Sequence, residues 1–280
     1  MKLKEYIYPV FVKYHFLNVL INRIKLSRIP VTSYDTSRFG SISQISFDTI
    51  FNDNQYEKEW FLVNDTIYSF PGKSGGVNVG DRRAIYCLIK YLQPKAVLEI
   101  GTHIGASTSV IACALRSLQP LNAGAMRNLT TVDIEDVNDP VSKPWRNFGS
   151  EYSPKEIMKQ IECNELVSFV TESSIDYLLR CERRYDLIFL DGDHSAKVVY
   201  QEVSAASKLL NSGGLILLHD YFPNLQLLWS NGDIKPGPWL AIERLKKEGM
   251  AIDIKALGKL PWATKMNSNF TSLALLGKAQ

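Results

Sequence analysis

Short, continuous apolar runs alternate with segments of helical periodicity between residues 80 and 220. Strands that are covered on both faces have such runs, because neither face of the strand is left to water. The segments between the runs, such as "STSVIACALRSL", place apolar residues at helical spacing. The alternation predicts an α/β fold built on a doubly wound, mostly parallel sheet. The five apolar runs are "AVLEI", "NLTTVDI", "LVSFVTE", "YDLIFL" and "LILLH".

Two helix boundaries carry specific signals. Ser153, Pro154 and Glu156 have the spacing of a capping box with proline in the first helical position. Asn211 and the glycines at 213 and 214 are expected to end the helix "SAKVVYQEVSAASKLL". After a further predicted helix, "PWLAIERLKKEG", the segments "MAIDIKAL" and "FTSLALLGK" are two more strand candidates. The predicted sheet therefore has seven strands.

The first part of the chain does not follow this alternation. Residues 1–78 are predicted to be a partly helical N-terminal extension and residues 79–280 the main domain. The apolar runs of residues 1–30 are broken by polar residues such as Lys13 and Asn18, so they are shorter than the ~20 residues that span a bilayer. This basic, aromatic segment is compatible with a helix that packs on the main domain, with a homo-oligomer contact, or with a membrane surface.

Charge and cysteine content narrow the functional classes. A net charge of +3 over 280 residues is too small for bulk attraction to nucleic acid. Cys87, Cys113, Cys163 and Cys181 lie far apart and form neither a C-x-x-C pair nor a zinc-ligand spacing. Buried free thiols are expected, and they suit a reducing compartment. We therefore expect a cytoplasmic protein with no transmembrane span and no nucleic-acid partner.

Acidic and polar side chains follow each of the five apolar runs. In a parallel α/β sheet, ligands bind beyond the carboxyl ends of the strands, where the strand order reverses. Acids beside an apolar sheet are costly unless they are paired or solvated, so their recurrence predicts a ligand site, although helix capping alone explains Ser173. The candidates are Glu99, Gly101, Thr102, His103, Gly105 and Ser107; Asp133; Glu172 and Ser173; Asp191, Asp193 and His194; and His219 and Asp220.

The turn after the first strand is not a dinucleotide-binding turn. The pattern G-x-G-x-x-G needs a second glycine where this chain has His103. A carboxylate at Glu99 would repel a pyrophosphate and attract a cation, and the bare backbone at Gly101 and Gly105 lets a ligand lie close. S-adenosylmethionine has an ammonium and a sulfonium, and its ribose hydroxyls need an acceptor such as Asp133. The turn therefore favours a cation-bearing nucleoside.

Four motifs resemble a known family. "VLEIGTHIGAST", "TTVDIE", "YDLIFLDGDHS" and "LLNSGGLILLHDY" are similar to motifs of the class I S-adenosylmethionine-dependent methyltransferases, and most similar to the small-molecule O-methyltransferases of the catechol and macrocin types. The resemblance covers about residues 80–220. It implies the Rossmann-like methyltransferase fold and O-methylation of a small-molecule hydroxyl, with S-adenosylmethionine as the methyl donor.

The resemblance also implies roles for individual residues. Each role belongs to a position at the end of a predicted strand. The implied cofactor-binding residues are Glu99, Gly101, Thr102, His103, Gly105 and Ser107 in the first loop, Asp133 at the ribose hydroxyls, Glu172 and Ser173 beside the adenine, and Asp191 after the fourth strand.

A divalent metal and a general base are implied in the same way. Catechol-type enzymes hold the metal with the acids that end strands four and five, here Asp191 and Asp220, and place a lysine base where this chain has His194. Mg²⁺ would lower the pKa of the acceptor hydroxyl, and His194 would take its proton. Tyr221 replaces the catechol-type asparagine, and His219 replaces one acid of the macrocin-type pair. His219 is thus a candidate third ligand, and the identity of the metal stays open.

Other classes stay open at this point. One is a protein that binds S-adenosylmethionine without catalysis, and another is a metal-dependent oxygenase or hydrolase on the same scaffold. Loops after the fifth strand carry several aromatic residues, which fit either an acceptor pocket or packing against the N-terminal extension. These residues are Tyr221, Phe222, Trp229, Trp239 and Trp262.

Overall fold

The computed structural model covers one chain of 280 residues. The first fifteen residues, which belong to the predicted N-terminal extension, lie outside its described part. The structure describes residues 16–68, 76–118, 126–229, 233–265 and 268–279.

Seven strands form one sheet in the order β3-β2-β1-β4-β5-β7-β6. The first five strands are parallel, and β7 runs antiparallel to β5 and β6. The order reverses between β1 and β4, which makes their carboxyl ends the switch point. The predicted fold class is confirmed. The strands are β1 (Ala96–Ile100), β2 (Asn128–Asp133), β3 (Val167–Thr171), β4 (Tyr185–Leu190), β5 (Leu210–Leu218), β6 (Ile252–Ala256) and β7 (Ala274–Lys278).

Helices cover both faces of the sheet. The predicted capping box at Ser153 is present, with Glu156 bonding back to the Ser153 backbone. The bounds of the helices that the sequence pattern predicted after residue 80 agree with the structure to within two residues. The helices are α1 (16–27), α2 (Phe47–Phe51), α3 (Asn54–Tyr68), α4 (Val79–Leu92), α5 (Ala106–Ser117), α6 (Pro154–Gln160), α7 (Ser174–Arg180), α8 (Ala196–Lys208) and α9 (Pro236–Lys247).

The central strands are mostly apolar because each has a core on both sides. In β1, Val97 packs into the core beneath α4 and α5, whereas its neighbour Leu98 packs into the core beneath α8 and α9. Successive side chains of a strand point to opposite faces, so two cores require an unbroken apolar run. The polar side chains inside these strands are buried and hydrogen-bonded, as Glu99 of β1 and Thr131 of β2 are to each other.

The expected helix end at Asn211 is wrong. Helix α8 ends at Lys208, and residues 211–214 belong to β5. Backbone partners from the N-terminal extension extend this strand, since Gly40 N donates to Gly214 O at 2.9 Å and Gly213 N donates to Arg38 O at 2.8 Å. These partners lie about 170 residues earlier in the chain, so the local sequence could not indicate them.

The described part of the N-terminal extension packs on the main domain. Val19 and Leu26 of α1 contact the core beneath α8 and α9, and Arg244 of α9 donates to the carbonyl oxygens of Leu26 and Ile29. Asn22 Oδ1 accepts the Ala196 backbone N–H at 2.9 Å and so caps α8. None of the described helices is long and apolar enough to cross a bilayer.

Candidate cofactor and active site

A cavity of about 740 Å³ lies at the carboxyl ends of the strands, beside the switch point of β1 and β4. Ligand cavities commonly have volumes of roughly 300–1,000 Å³. Of the predicted site residues, Glu99 and Gly105 are not in the cavity wall. Those that line it are Gly101, Thr102, His103, Ser107, Asp133, Glu172, Ser173, Asp191, Asp193, His194, His219 and Asp220.

Two glycines shape the turn between β1 and α5. Gly101 has a φ of +97°, and a Cβ there would lie 2.3 Å from the backbone oxygen of Asp191. Gly105 has a φ of +78°, and a Cβ there would lie 3.0 Å from Cβ of Pro154. Glycine adopts positive φ without the steric cost that a side chain adds. The turn is therefore pressed against the end of β4 on one side and the start of α6 on the other.

Asp133 ties the end of β2 to the same turn. Its Oδ2 accepts the backbone N–H of His103 at 2.9 Å, and its Oδ1 accepts that of Glu135 at 3.1 Å. His103 itself has a φ of +49°, and its ring lies 4.1 Å from the ring of Phe148, centroid to centroid. The carboxylate of Asp133 is thus held at the cavity wall with lone pairs still facing solvent space.

Glu99 lies behind the cavity wall. Its side chain is 0% exposed, and its Oε2 accepts the hydroxyls of Thr108 at 2.6 Å and Thr131 at 2.7 Å. The Thr131 hydroxyl also lies 2.6 Å from that of Thr102, which does line the cavity. Burial raises the pKa of the Glu99 carboxyl to about 7, although the hydroxyls oppose the shift. Glu99 therefore stabilises the turn through these hydroxyls without lining the cavity.

The predicted adenine end contains side chains that already have partners. Arg180 binds both carboxylate oxygens of Glu172 at 2.8 and 2.9 Å and lowers its pKa. The Ser173 hydroxyl caps α7 by accepting the backbone N–H of Asp176 at 3.2 Å. Apolar surface at this end comes from Ile134 and Ile175, which also line the cavity.

Two carboxylates and two imidazoles meet at the ends of β4 and β5. His219 Nδ1 lies 2.7 Å from Asp191 Oδ1 and 3.8 Å from Asp220 Oδ1. His194 Nε2 lies 3.5 Å from Asp220 Oδ2 and 3.9 Å from Asp191 Oδ1. Asp220 has a φ of +51°, and Ser272 donates to its Oδ1 at 3.2 Å. The ends of β4 and β5 thus bring these four ionisable groups together.

The carboxylates of this cluster favour the protonated form of His219. Burial opposes that charge, but the carboxylates of Asp191 and Asp220 outweigh the effect and raise the pKa of His219 well above its ordinary value. The pKa of Asp220 is lowered, since His219, His194 and Lys265 outweigh its burial. On its far side, His219 Nε2 lies 3.4 Å from Oδ2 of the buried Asp81. The imidazolium is therefore bracketed by carboxylates.

The comparisons with known proteins agree with this geometry. Residues 98–221 match a family described as a methyltransferase domain, and this segment contains β1 to β5 and the loops that form most of the cavity. Residues 98–221 are therefore similar to a methyltransferase domain, and the seven-stranded sheet has the predicted fold. The family prediction, a class I S-adenosylmethionine-dependent methyltransferase, is confirmed at the level of domain and fold.

Relatives of this methyltransferase domain include one protein of similar sequence. Tapetum-specific methyltransferase 1 of Arabidopsis thaliana is 26% identical over 181 residues, which cover 63% of this chain and 68% of the relative.

Two solved structures share the fold. One is the O-methyltransferase TomG of Streptomyces achromogenes, which is involved in tomaymycin synthesis and was solved in complex with S-adenosylmethionine. It has a TM-score of 0.52, 16% identity, and coverage of 82% of this chain and 91% of the other. The second is an O-methyltransferase of Bacillus cereus in complex with S-adenosylhomocysteine, with a TM-score of 0.50, 17% identity, and coverage of 86% and 98%.

The cluster at the ends of β4 and β5 fits a divalent cation with mixed ligands. Asp191, His194 and His219 each offer one atom, and these atoms lie within 4.8 Å of one another. His219 Nδ1 is buried without an aligned hydrogen bond, although Asp191 Oδ1 is close. Imidazole nitrogens suit Mn²⁺, Fe²⁺ or Zn²⁺ better than Mg²⁺, which prefers oxygen. A metal at His219 would also have to displace its proton.

Sequence reasoning missed two residues of the site. Asp81 was not among the candidates, yet α4 precedes β1 through a short turn and must begin at the edge where β1 ends. That topology was a usable signal for its contact with His219. Lys265 lines the cavity, and its Nζ lies 4.1 Å from the ring centroid of Trp229. No local pattern marked it. Trp262 packs edge-on to Phe51 instead, on the N-terminal extension.

Replacement of Gly101 tests the close approach of the turn to β4. Gly101→Ala should lower the free energy of unfolding by about 2–5 kcal/mol, because it combines a positive φ with a backbone clash. Gly258→Ala is the matched control, since Gly258 has a φ of +70° with nothing within 4 Å of an added Cβ. It should cost only about 1–2 kcal/mol. Urea unfolding of both variants measures the difference, and equal losses would contradict the close approach.

The buried Glu99 carboxyl predicts a pH dependence of stability. Its folded pKa of about 7 exceeds the ordinary value of 4.5, so the native state binds the proton more tightly than the unfolded state. The resulting stability is present below pH 4.5 and is lost as the pH rises through 7, by about 3 kcal/mol in all. Glu99→Gln should lack this loss.

The measurement is urea unfolding of wild type and Glu99→Gln across that pH range. Glu135→Gln is the matched control, because Glu135 is an exposed acid at the same edge of the sheet. The free energy of unfolding of wild type and of Glu135→Gln should decrease by the same amount as the pH rises. If the Glu99→Gln curve runs parallel to them, the carboxyl is ionised throughout and the raised pKa is wrong.

Proposed function

We propose that this chain transfers the methyl group of S-adenosylmethionine to a hydroxyl oxygen of a small molecule. The observation that carries the proposal is one cavity of a methyltransferase domain that joins the Gly101 turn with Asp133, Asp191 and Asp220. Such a carboxylate-rich wall favours a cationic ligand, and the sulfonium and ammonium groups of S-adenosylmethionine supply two positive charges. The S-adenosylmethionine and S-adenosylhomocysteine complexes of the two solved relatives support the same cofactor.

The cofactor would lie along the strand ends from β1 to β3. Its methionine part would lie against the backbone of Gly101 and Thr102 and near His103 and Ser107, and Asp133 would accept hydrogen bonds from the ribose hydroxyls. Adenine is flat and largely apolar, so it would lie between Ile134 and Ile175, beside Glu172 and Ser173. Glu99 and Gly105 would act by keeping the turn in shape.

The reaction is a displacement at carbon. The acceptor oxygen forms a bond to the methyl carbon, the carbon–sulfur bond breaks, and its electron pair neutralises the sulfonium. The hydroxyl proton must leave for the oxygen to react, and His194 Nε2 faces the cavity as the group that would take it. Asp220, 3.5 Å from that nitrogen, would stabilise the imidazolium that forms. The cavity also has to hold donor and acceptor in line.

A divalent ion fits the residues next to this base. Asp191, Asp220 and His219 are the ligands that we propose, and His194 would become a ligand only if it were not the base. A bound ion would supply a Lewis acid that lowers the pKa of the acceptor hydroxyl. When no ion is bound, Asp191 and Asp220 stabilise the protonated imidazole of His219. A bound metal ion would replace that proton as the positive charge between the two carboxylates.

Domain organisation, assembly and location are separate parts of the proposal. We propose residues 79–280 as the catalytic unit, with residues 1–78 as an extension that packs on it and through which a homo-oligomer would form. A cytoplasmic location is supported by the four cysteines, which are all free thiols, three of them buried.

Cofactor binding can be tested without knowing the acceptor. Calorimetric titration of S-adenosylhomocysteine should give binding to wild type, and Asp133→Asn should weaken it by roughly 10–100-fold, the value of a lost charge-assisted hydrogen bond. Glu135→Gln should bind like wild type, since Glu135 lies outside the cavity wall. Repeating the titration with Mg²⁺, Mn²⁺ or a chelator tests the metal. No heat with wild type under any condition would refute the proposed cofactor.

The base can be tested by separating turnover from binding. His194→Gln should lower the rate of methyl transfer by about 10²–10⁴-fold while the affinity for S-adenosylhomocysteine stays within about twofold. The measurement is release of S-adenosylhomocysteine with a panel of phenols, catechols and sugars. Lys197→Gln, an exposed change at the start of α8, is the control. Unchanged turnover in His194→Gln would remove His194 from the mechanism.

A further inference from the structure

Helix α1 exposes an apolar face to solvent. At about 3.6 residues per turn, its large exposed residues form one arc roughly 140° wide. Soluble proteins seldom leave so many large apolar side chains together on one helix face. The residues are Phe16, Leu17, Leu20, Ile21 and Ile24, each between 41% and 68% exposed.

The opposite face of α1 already holds the helix on the domain. Val19 and Leu26 pack into the core, and Asn22 caps α8 through the Ala196 N–H. These three residues lie on the face of the helix opposite the exposed arc. The residues of the arc therefore do not contribute to the packing of α1 on the domain. It is an apolar surface that is kept in place by the fold but left without a partner within the described residues.

Cations border the arc on both sides. Arg23 and Lys25 lie at its two edges on the helical projection, and both are exposed. Residues 1–34 contain six Lys or Arg and a single acid, Glu5, so this segment has a net charge of +5. Since the whole chain has a net charge of +3, the other residues together carry −2. The net positive charge of the chain is therefore concentrated in the segment that contains α1.

We propose that α1 seats this protein on the surface of an anionic lipid bilayer. An apolar arc with a cation at each edge matches a bilayer surface, where acyl chains lie below anionic headgroups. A second copy of the chain is a poorer occupant, since α1 has no acidic residue to pair with the cations of a facing α1. The attachment is peripheral, and the capping contact of Asn22 joins α1 directly to the segment that follows His194.

The test is co-sedimentation with lipid vesicles of defined composition. Wild type should bind vesicles that contain phosphatidylglycerol more strongly than pure phosphatidylcholine vesicles, and added salt should weaken this binding. The double variant Leu20→Gln with Ile24→Gln, at the centre of the arc, should lower the partition coefficient by roughly tenfold or more. Arg23→Gln with Lys25→Gln should weaken the preference for phosphatidylglycerol, because it lowers the net charge of residues 1–34 from +5 to +3.

The matched control is Leu62→Gln with Lys58→Gln on α3, which also changes one exposed apolar residue and one exposed cation. It should bind vesicles like wild type. Light scattering after gel filtration, and titration of S-adenosylhomocysteine, show whether each variant keeps its fold and assembly. Because vesicle binding does not depend on the cofactor, a failed titration would count against the proposed function alone.

Three results would overturn the proposal. The first is no binding of wild type to phosphatidylglycerol vesicles. The second is equal vesicle binding by wild type and the variant of Leu20 and Ile24. The third is a wild-type dimer that ignores vesicles and that the same variant converts to a monomer, which would assign the arc to a second copy of the chain.

Discussion

The contact between the first turn and the end of β4 is the constraint on which the site depends. Gly101 lies so close to the backbone of Asp191 that a single added carbon would overlap it, while Gly101 N donates to Val132 O and Asp191 N donates to Ile100 O. These bonds hold the ends of β1, β2 and β4 level with one another. A ligand can then contact all three strand ends at once, which is why the cavity opens here and not elsewhere along the sheet edge.

The second constraint on the site is the concentration of carboxylates at the strand ends. Ionised carboxylates at the strand ends lose hydration free energy beside an apolar sheet. In this protein they are stabilised in three ways. His219 lies among Asp81, Asp191 and Asp220 as a paired imidazolium, and Glu172 is bound by Arg180. The remaining acids of the wall face the cavity, where a cationic ligand would complete the balance.

Two further carboxyls are fully buried and are handled differently. Burial raises the pKa of Glu99 to about 7 and that of Glu202 to about 8. Both groups can therefore carry a proton near neutral pH, which spares the fold an uncompensated buried charge. Glu99 in particular links the turn, α5 and β2 through threonine hydroxyls, so an acid that the sequence placed among the cofactor-binding residues lies behind the cavity wall.

The sequence by itself determined the order of strands and helices along the chain and the buried character of the sheet. It also determined the capping box and most of the cavity wall. These features depend on local periodicity and on the rule that parallel strands end at one edge. Only the tertiary structure decided that residues 211–214 are strand, because their partners Arg38 and Gly40 lie far away in the chain. It also decided that Glu99 points away from the cavity while Asp133 lines it, and that Asp81 meets His219. Which side of a strand end a side chain takes depends on the packing of neighbouring strands, and that information is spread over the whole chain.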